Sequence, residues 1–257
     1  MQRRTIVSIS IADPYNPSAR QAHGWSLIQG PMTPKHDPDV WLFDLDNTLY
    51  PARCNLFAQI DVRIGRYISD WLKVDAEEAR RVQKAYWRDH GTSMRGMMTL
   101  HGVDPRHYLD YVHDIDYSPV PASPELEAAL KALPGRKIIF TAGDVPHAER
   151  VMERLGVAHH FEAIFDIVAG DYWPKPHKQI YEQLVVKHGV DPTRACMADD
   201  IAVNLRPACD MGMRTVWIRT EESTKRAADL NLDHIHHQTD DLATWLADWV
   251  AQRNVKK

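Results

Sequence analysis

The chain has 257 residues, 44% of them apolar and 26% charged, which suffices for one α/β domain of ordinary size and a smaller appended one. Its formal net charge is -4, with no long run of like charge. That balance excludes non-specific binding to nucleic acid or to an anionic membrane, both of which need a basic excess.

Residues 1–38 carry five prolines among scattered polar residues, without a sustained hydrophobic period, and are expected to form a poorly ordered extension. The opening MQRRTIVSISIADP is too briefly apolar for an export signal to be expected; a start placed too early, with Met32 as the alternative initiator, is the other expectation for this segment. Val40-Trp41-Leu42-Phe43 is a continuous apolar run of the buried-strand type. After Pro51 the period becomes helical: Phe57, Ile60, Ile64, Tyr67, Ile68 and Trp71 recur at three- and four-residue steps on one face. A second helix is expected near 75–89 and shorter ones from about 104 to 132, with no buried strand between 52 and 132.

From Lys137 strands and helices alternate. Strands are expected at 137–140, 164–168, 195–198 and 215–218. Helices are expected from Pro146 to the stop at Gly156, over 177–188, over about 201–211, and in a last segment carrying Leu242, Trp245, Leu246, Trp249 and Val250. His234, His236 and His237 lack a helix-spaced zinc pattern and read as a polar loop. Alternation of this kind predicts an α/β fold: a Rossmann-like, mostly parallel sheet with helices on both faces, and a helical insert after the first strand. The expected division is a core of 39–51 and 133–257 and an insert of 52–132. Cys54, Cys196 and Cys209 are odd in number and in no metal or redox pattern, and no run reaches the roughly 18 apolar residues of a membrane span. A cytoplasmic protein, monomeric or homodimeric, is expected.

Such sheets carry their chemistry at the carboxyl ends of the strands. The first strand runs into Asp44-Leu45-Asp46-Asn47-Thr48, another into Thr141-Ala142-Gly143-Asp144, and a third into Asp199-Asp200. Lys175 stands between Pro174 and Pro176 in a connecting loop. Clustered carboxylates repel unless a cation lies among them, and oxygen ligands without thiolates or imidazoles suit Mg²⁺. The metal would screen an anionic nucleophile from an anionic phosphate, Lys175 would add positive charge, and Thr141 would donate a hydroxyl to a phosphoryl oxygen. One carboxylate would then be free to attack phosphorus.

The four segments FDLDNTL at 43–49, FTAGD at 140–144, PKP at 174–176 and ADDIAVNL at 198–205, in this order, resemble the haloacid dehalogenase-like hydrolase superfamily. The resemblance implies Asp44 as nucleophile and Asp46 as the acid that protonates the leaving oxygen and then activates water. It implies Thr141 and Lys175 as phosphoryl contacts. Asp44, the main-chain carbonyl of Asp46 and Asp200 would hold Mg²⁺, with Asp199 in support. Dehalogenating members lack the second aspartate, because halide leaves without a proton; Asp46 therefore favours phosphate esters. The insert sequence from Gly91 to Met97, the segment His113 to Tyr117 and the run Asp171-Tyr172-Trp173 before Pro174 resemble the pyrimidine 5'-nucleotidase branch. On that resemblance the substrate is a small phosphorylated metabolite, a nucleoside monophosphate, contacted by Asn47, Tyr50, Ala142 and, from a mobile cap, Arg95. Two positions depart from the pattern: Ala142, where members often have Asn, and Ile201, where many have Ser. Neither removes a charge or the nucleophile.

Overall fold

A computed structural model describes residues 36–254; the extension expected over 1–38 lies, as far as residue 35, outside the described residues. In chain order the elements are β1 (Val40–Phe43), α1 (Leu56–Leu72), α2 (Ala76–His90), α3 (Ser93–His101), α4 (Pro105–Val112), α5 (Pro124–Ala132), β2 (Arg136–Phe140), α6 (Val145–Leu155), β3 (Ala163–Phe165), α7 (Lys178–His188), β4 (Ala195–Asp199), α8 (Leu205–Asp210), β5 (Arg214–Ile218), α9 (Glu221–Ala227), β6 (His237–Thr239) and α10 (Leu242–Asn254). The strands form one parallel sheet in the order β3-β2-β1-β4-β5-β6.

Alternate residues of the short buried strands feed two apolar layers, the consequence of a period of two with both faces covered. Trp41 and Phe43 point to a layer with Leu126 and Leu130 of α5, Val151 and Leu155 of α6, and Leu246 of α10. Val40 and Leu42 point the other way, to Ile180 and Leu184 of α7 and Leu205 and Ala208 of α8. Each fully buried Val, Leu, Ile or Phe side chain among these contributes about 1.5–3 kcal/mol relative to exposure. α6 starts and stops where Pro146 and Gly156 predict: Asp144 caps it by accepting the His147 N–H at 3.2 Å, and Gly156 closes it at φ 77°.

The helices α1 to α4 share a third apolar cluster of their own, in which Ile60, Tyr67, Ile68, Met94, Met97, Tyr108 and Val112 surround each other and Ile167. Three features of the structure bear on the sequence expectations. First, α5, which falls in the range expected for the insert, packs against α10 and the sheet layer. Second, the apolar face of α1 is narrower than its pattern: Ile60, Tyr67 and Ile68 are buried, whereas Phe57 and Trp71 are exposed. Third, the strand expected at 164–168 stops at Phe165, because the Asp166 carboxylate turns the chain by accepting N–H groups from Val145 and Ala169. α3, α9 and β6 have no counterpart in the expected elements. Of the three histidines, His234 and His236 lie in the loop expected for them, His234 buried with Nε2 donating to the Ala202 carbonyl at 2.7 Å, whereas His237 opens β6.

Candidate active site

The point where strand order reverses lies between β1 and β4, the crevice position of open α/β sheets. The β1–β4 ladder continues one residue past the strand, with the Asp44 N–H donating to Ala198 O at 2.9 Å. Asp44 therefore stands beside Asp199, and Asp200 follows on the same edge. Asp44, Asp199 and Asp200 are all buried, and one oxygen from each lies within 4.8 Å of the others.

Lys175 enters this group from the loop between β3 and α7. Its ammonium donates to Asp44 Oδ1 at 2.7 Å, to Asp199 Oδ2 at 2.7 Å and to the Phe140 carbonyl at 2.9 Å. All three ammonium protons are thereby placed. Burial works against the charge of Lys175, but Asp199 and Asp44 outweigh it and hold the ammonium protonated above the ordinary lysine range.

The carboxylates differ in their partners. Asp44 Oδ2 accepts the Thr48 hydroxyl at 2.8 Å. Asp199 accepts the Ile201 N–H at 2.8 Å and the Asn204 amide at 3.0 and 3.2 Å, besides Lys175. Its oxygens are thus directed at Lys175 and its own turn. Asp200 is held by its main chain, whose carbonyl accepts the Trp217 indole N–H at 2.9 Å, while its carboxylate has no hydrogen-bond donor among the described residues. Burial pushes Asp44 up to about 7, with Lys175 opposing and Asp199 adding to the rise. Burial and the charges of Asp44 and Asp199 push Asp200 well above the carboxylate range. This is a site short of positive charge. The donor set is all oxygen, one carboxylate is unpartnered, and the Asp46 main-chain carbonyl accepts no hydrogen bond among the described residues. Those features fit a small hard divalent cation such as Mg²⁺.

Asp46 leaves the same loop, where Asn47 turns the chain at φ 61° and is partly buried. Its Oδ1 accepts the Tyr50 hydroxyl at 2.6 Å and faces His147 Nε2 at 2.9 Å. Burial alone would raise Asp46, but the His147 charge and both hydrogen bonds outweigh it and lower the carboxyl below its usual range. Thr141 follows Phe140, the residue whose carbonyl Lys175 binds, and its Oγ1 accepts the Gly143 N–H at 2.9 Å, leaving its hydroxyl proton to donate. Ala142 is exposed at that strand's end.

Two residues expected as substrate contacts have partners within the protein. Tyr50 lines the core with its hydroxyl on Asp46, and so braces a site carboxylate. Arg95, in α3, lays its guanidinium 3.4 Å from the centre of the Trp173 ring and donates to Tyr172 O at 3.2 Å. Asp171 and Tyr172, at φ 53° and 61°, bend the segment that presents Trp173; such backbone strain gathers at functional segments. Arg95 therefore ties the insert to the segment leading to Lys175. A shallow cleft of about 520 Å³ lined by Asn55, Gln59, Arg63, Arg66 and Ile115 contains none of the acidic group.

His147 and Asn204 join the site beyond the residues that the sequence motifs name. A signal existed for the first: His147 falls on the buried stripe of α6 with Ala148, Val151, Met152 and Leu155, where an imidazole needs polar partners.

Comparison with known proteins agrees with this geometry. A family model described as haloacid dehalogenase-like hydrolase matches residues 38–212. "Phosphate metabolism protein 8" of Saccharomyces cerevisiae is 27% identical over 207 residues, covering 72% of this chain; the chain spans 64% of that protein's length. Among solved structures, a mutant of CbbY from Rhodobacter sphaeroides in complex with xylulose-(1,5)bisphosphate superposes with a TM-score of 0.57 at 18% identity, over 80% of this chain and 95% of that one. A HAD phosphatase from Thermococcus onnurineus gives a TM-score of 0.53 at 17% identity, over 82% and 97%. Among the described residues no helix is long and apolar enough to cross a membrane.

Proposed function

The chain belongs to the haloacid dehalogenase-like hydrolase family, and on that premise we propose that it is a Mg²⁺-dependent phosphomonoester hydrolase with Asp44 as its nucleophile. One observation carries the reading: Asp44 and Asp199 share the single Lys175 ammonium, and Asp200, with an oxygen within 4.8 Å of theirs, has no donor to its carboxylate among the described residues. A bound Mg²⁺ supplies the missing positive charge and lowers the repulsion between Asp44 and a phosphate dianion. Asp200, Asp44 and the Asp46 carbonyl are the groups that would hold it.

In the first step a carboxylate oxygen of Asp44 attacks phosphorus, and the new O–P bond forms as the ester O–P bond breaks. Asp46 gives its proton to the departing oxygen. The free site holds Asp46 ionised through His147, but a phosphate dianion bound beside it works the other way and favours the protonated carboxyl. Water then attacks the aspartyl-phosphate, its proton passing to Asp46; inorganic phosphate leaves and Asp44 is regenerated. Lys175 and the Thr141 hydroxyl steady the phosphoryl oxygens throughout.

A pyrimidine nucleoside 5'-monophosphate is the substrate class we favour, on the likeness of the insert and of the Asp171–Trp173 segment to the 5'-nucleotidase branch. A sugar phosphate is the second reading, suggested by the CbbY complex of the same fold. A panel of monophosphates with Mg²⁺ tests both: the fastest turnover is expected on UMP or CMP, and indifference to the base removes the narrower claim. Phosphate release that persists in Asp44→Asn or after chelation removes the broader one.

A further inference from the structure

His147 is fully buried, lies on the core side of α6, and has a polar partner at each ring nitrogen. Nε2 faces Asp46 Oδ1 at 2.9 Å, and Nδ1 faces the Tyr117 hydroxyl at 3.0 Å. The Tyr117 hydroxyl also reaches the His113 carbonyl at 3.0 Å. Since a carbonyl only accepts, the tyrosine proton satisfies it when the imidazole donates from Nδ1. The His113 ring stacks on His147 with centroids 4.3 Å apart and interplanar angle 14°, and its Nδ1 lies 2.8 Å from Asp144 Oδ1 without the alignment of a hydrogen bond. Gly143 makes room for this arrangement: a Cβ there would approach the His147 ring to 2.9 Å.

We propose that His147 is a positioning residue for Asp46, clamping Oδ1 together with Tyr50 so that Oδ2 is the oxygen that exchanges the proton with the leaving group and with water. The inference rests on the phosphohydrolase reading given above. Both protein donors to the Asp46 carboxyl converge on Oδ1, and Oδ2 has no hydrogen bond among the described residues. The side chain is 16% exposed, so a ligand can reach it. Two donors on one oxygen fix rotation about the Cβ–Cγ bond, which a single donor does not. Tyr117 holds the imidazole plane from behind, in the manner of an orienting group one bond removed from the chemistry. Tyr117 and His113 come from the segment that leaves the helical insert, so the direction of the Asp46 carboxyl depends on how that segment seats against α6.

A positioned acid matters most when the leaving oxygen is a poor leaving group, which separates this role from simple support of the fold. The test compares kcat/KM of the Mg²⁺-loaded full chain on p-nitrophenyl phosphate, phenyl phosphate and an alkyl phosphate. Against wild type, His147→Leu is expected to lose about 10- to 100-fold more on the alkyl ester than on the p-nitrophenyl ester, a part of the total that general acid catalysis supplies. His147→Gln, whose amide nitrogen can occupy the place of Nε2, is expected to recover most of that difference. Tyr117→Phe, nearly isosteric, is expected to show the same bias towards poor leaving groups at a few-fold scale, and guards against a His147 variant that fails to fold. Equal losses on all three esters, or a Gln variant as selective as Leu, overturn the assignment while leaving the phosphohydrolase reading intact. A wild-type chain inactive on every ester overturns both.

Discussion

Lys175 Nζ stands 2.7 Å from Asp44 Oδ1, although 131 residues separate the two in the chain. The same ammonium holds Asp199, and its side chain is almost wholly buried. Removing it strands two buried acids. Lys175→Met is expected to cost about 3–5 kcal/mol in urea unfolding near neutral pH, the usual penalty for breaking one side of a buried ion pair. Loss of less than about 1 kcal/mol, the range of surface pairs, would show that the acids are not confined as described. Phosphate release is expected to fall with it.

The acidic group makes the metal-free protein sensitive to pH in a definite direction. Burial raises Asp44 from its ordinary value to about 7, so the folded state binds a proton more tightly than the unfolded chain does. Its favourable contribution is full below the unfolded carboxylate pKa and is lost as pH rises through about 7. Mg²⁺ competes with that proton and is expected to raise Tm more at about pH 8 than at about pH 5. Asp44→Asn should flatten this dependence. A Tm shift that is the same at both pH values contradicts the expectation.

Arg95 and Trp173 offer a double-mutant cycle. The guanidinium over the ring, in a partly buried contact, is expected to couple the two residues by about 0.5–2 kcal/mol in stability. Arg95→Ala and Trp173→Ala are each expected to raise KM more than they lower kcat, because both loosen the insert against the segment before Lys175. Additive effects within the error of unfolding measurements would mean that the contact is incidental.

On the acid side, His237 is the group to follow. Burial, then the charges of Arg214, His236 and Arg253, push it down to about 4, and it packs against Trp245 and Trp249. The unfolded chain binds its proton more readily, so stability is lost as pH falls from the ordinary histidine range through about 4. His113, His160, His188 and His234 are held low by burial as well and act in the same sense. His237→Asn is expected to make the fall in Tm between about pH 6.5 and pH 4 shallower. An unchanged slope would assign the loss to the other histidines and to the lowered carboxyls of Asp46 and Asp144.

How much was legible depended on whether a signal was local. Val40 to Phe43 read as a buried strand because four consecutive apolar residues stop at once in a polar turn, too short a run for a buried helix, and Gly156 read as the stop of α6 because glycine takes the left-handed backbone, φ 77°, that closes it. β6 was missed because His237-Gln238-Thr239 has no apolar alternation; its strand character comes from pairing with β5. α5 was assigned to the insert because its Leu126, Ala129 and Leu130 stripe is the same whether it packs on α4 or on α10. A ligand contact or an exposed salt bridge is all that the sequence suggests for Arg95, because no pattern along the chain announces that Trp173 lies beneath it.

By itself the sequence determined the fold class, the strand ends that carry acids, and the order of Asp44, Thr141, Lys175 and Asp200 along the chain, since strand periodicity and helix signals act over a few residues. Only the tertiary structure decided that Asp199 turns to Lys175 while Asp200 is left without a donor, that Tyr50 braces Asp46, and that His147 completes the clamp on it. Those assignments depend on which groups meet across the sheet once water is excluded, and the partner of a buried charge is chosen by packing, over distances that no local pattern encodes.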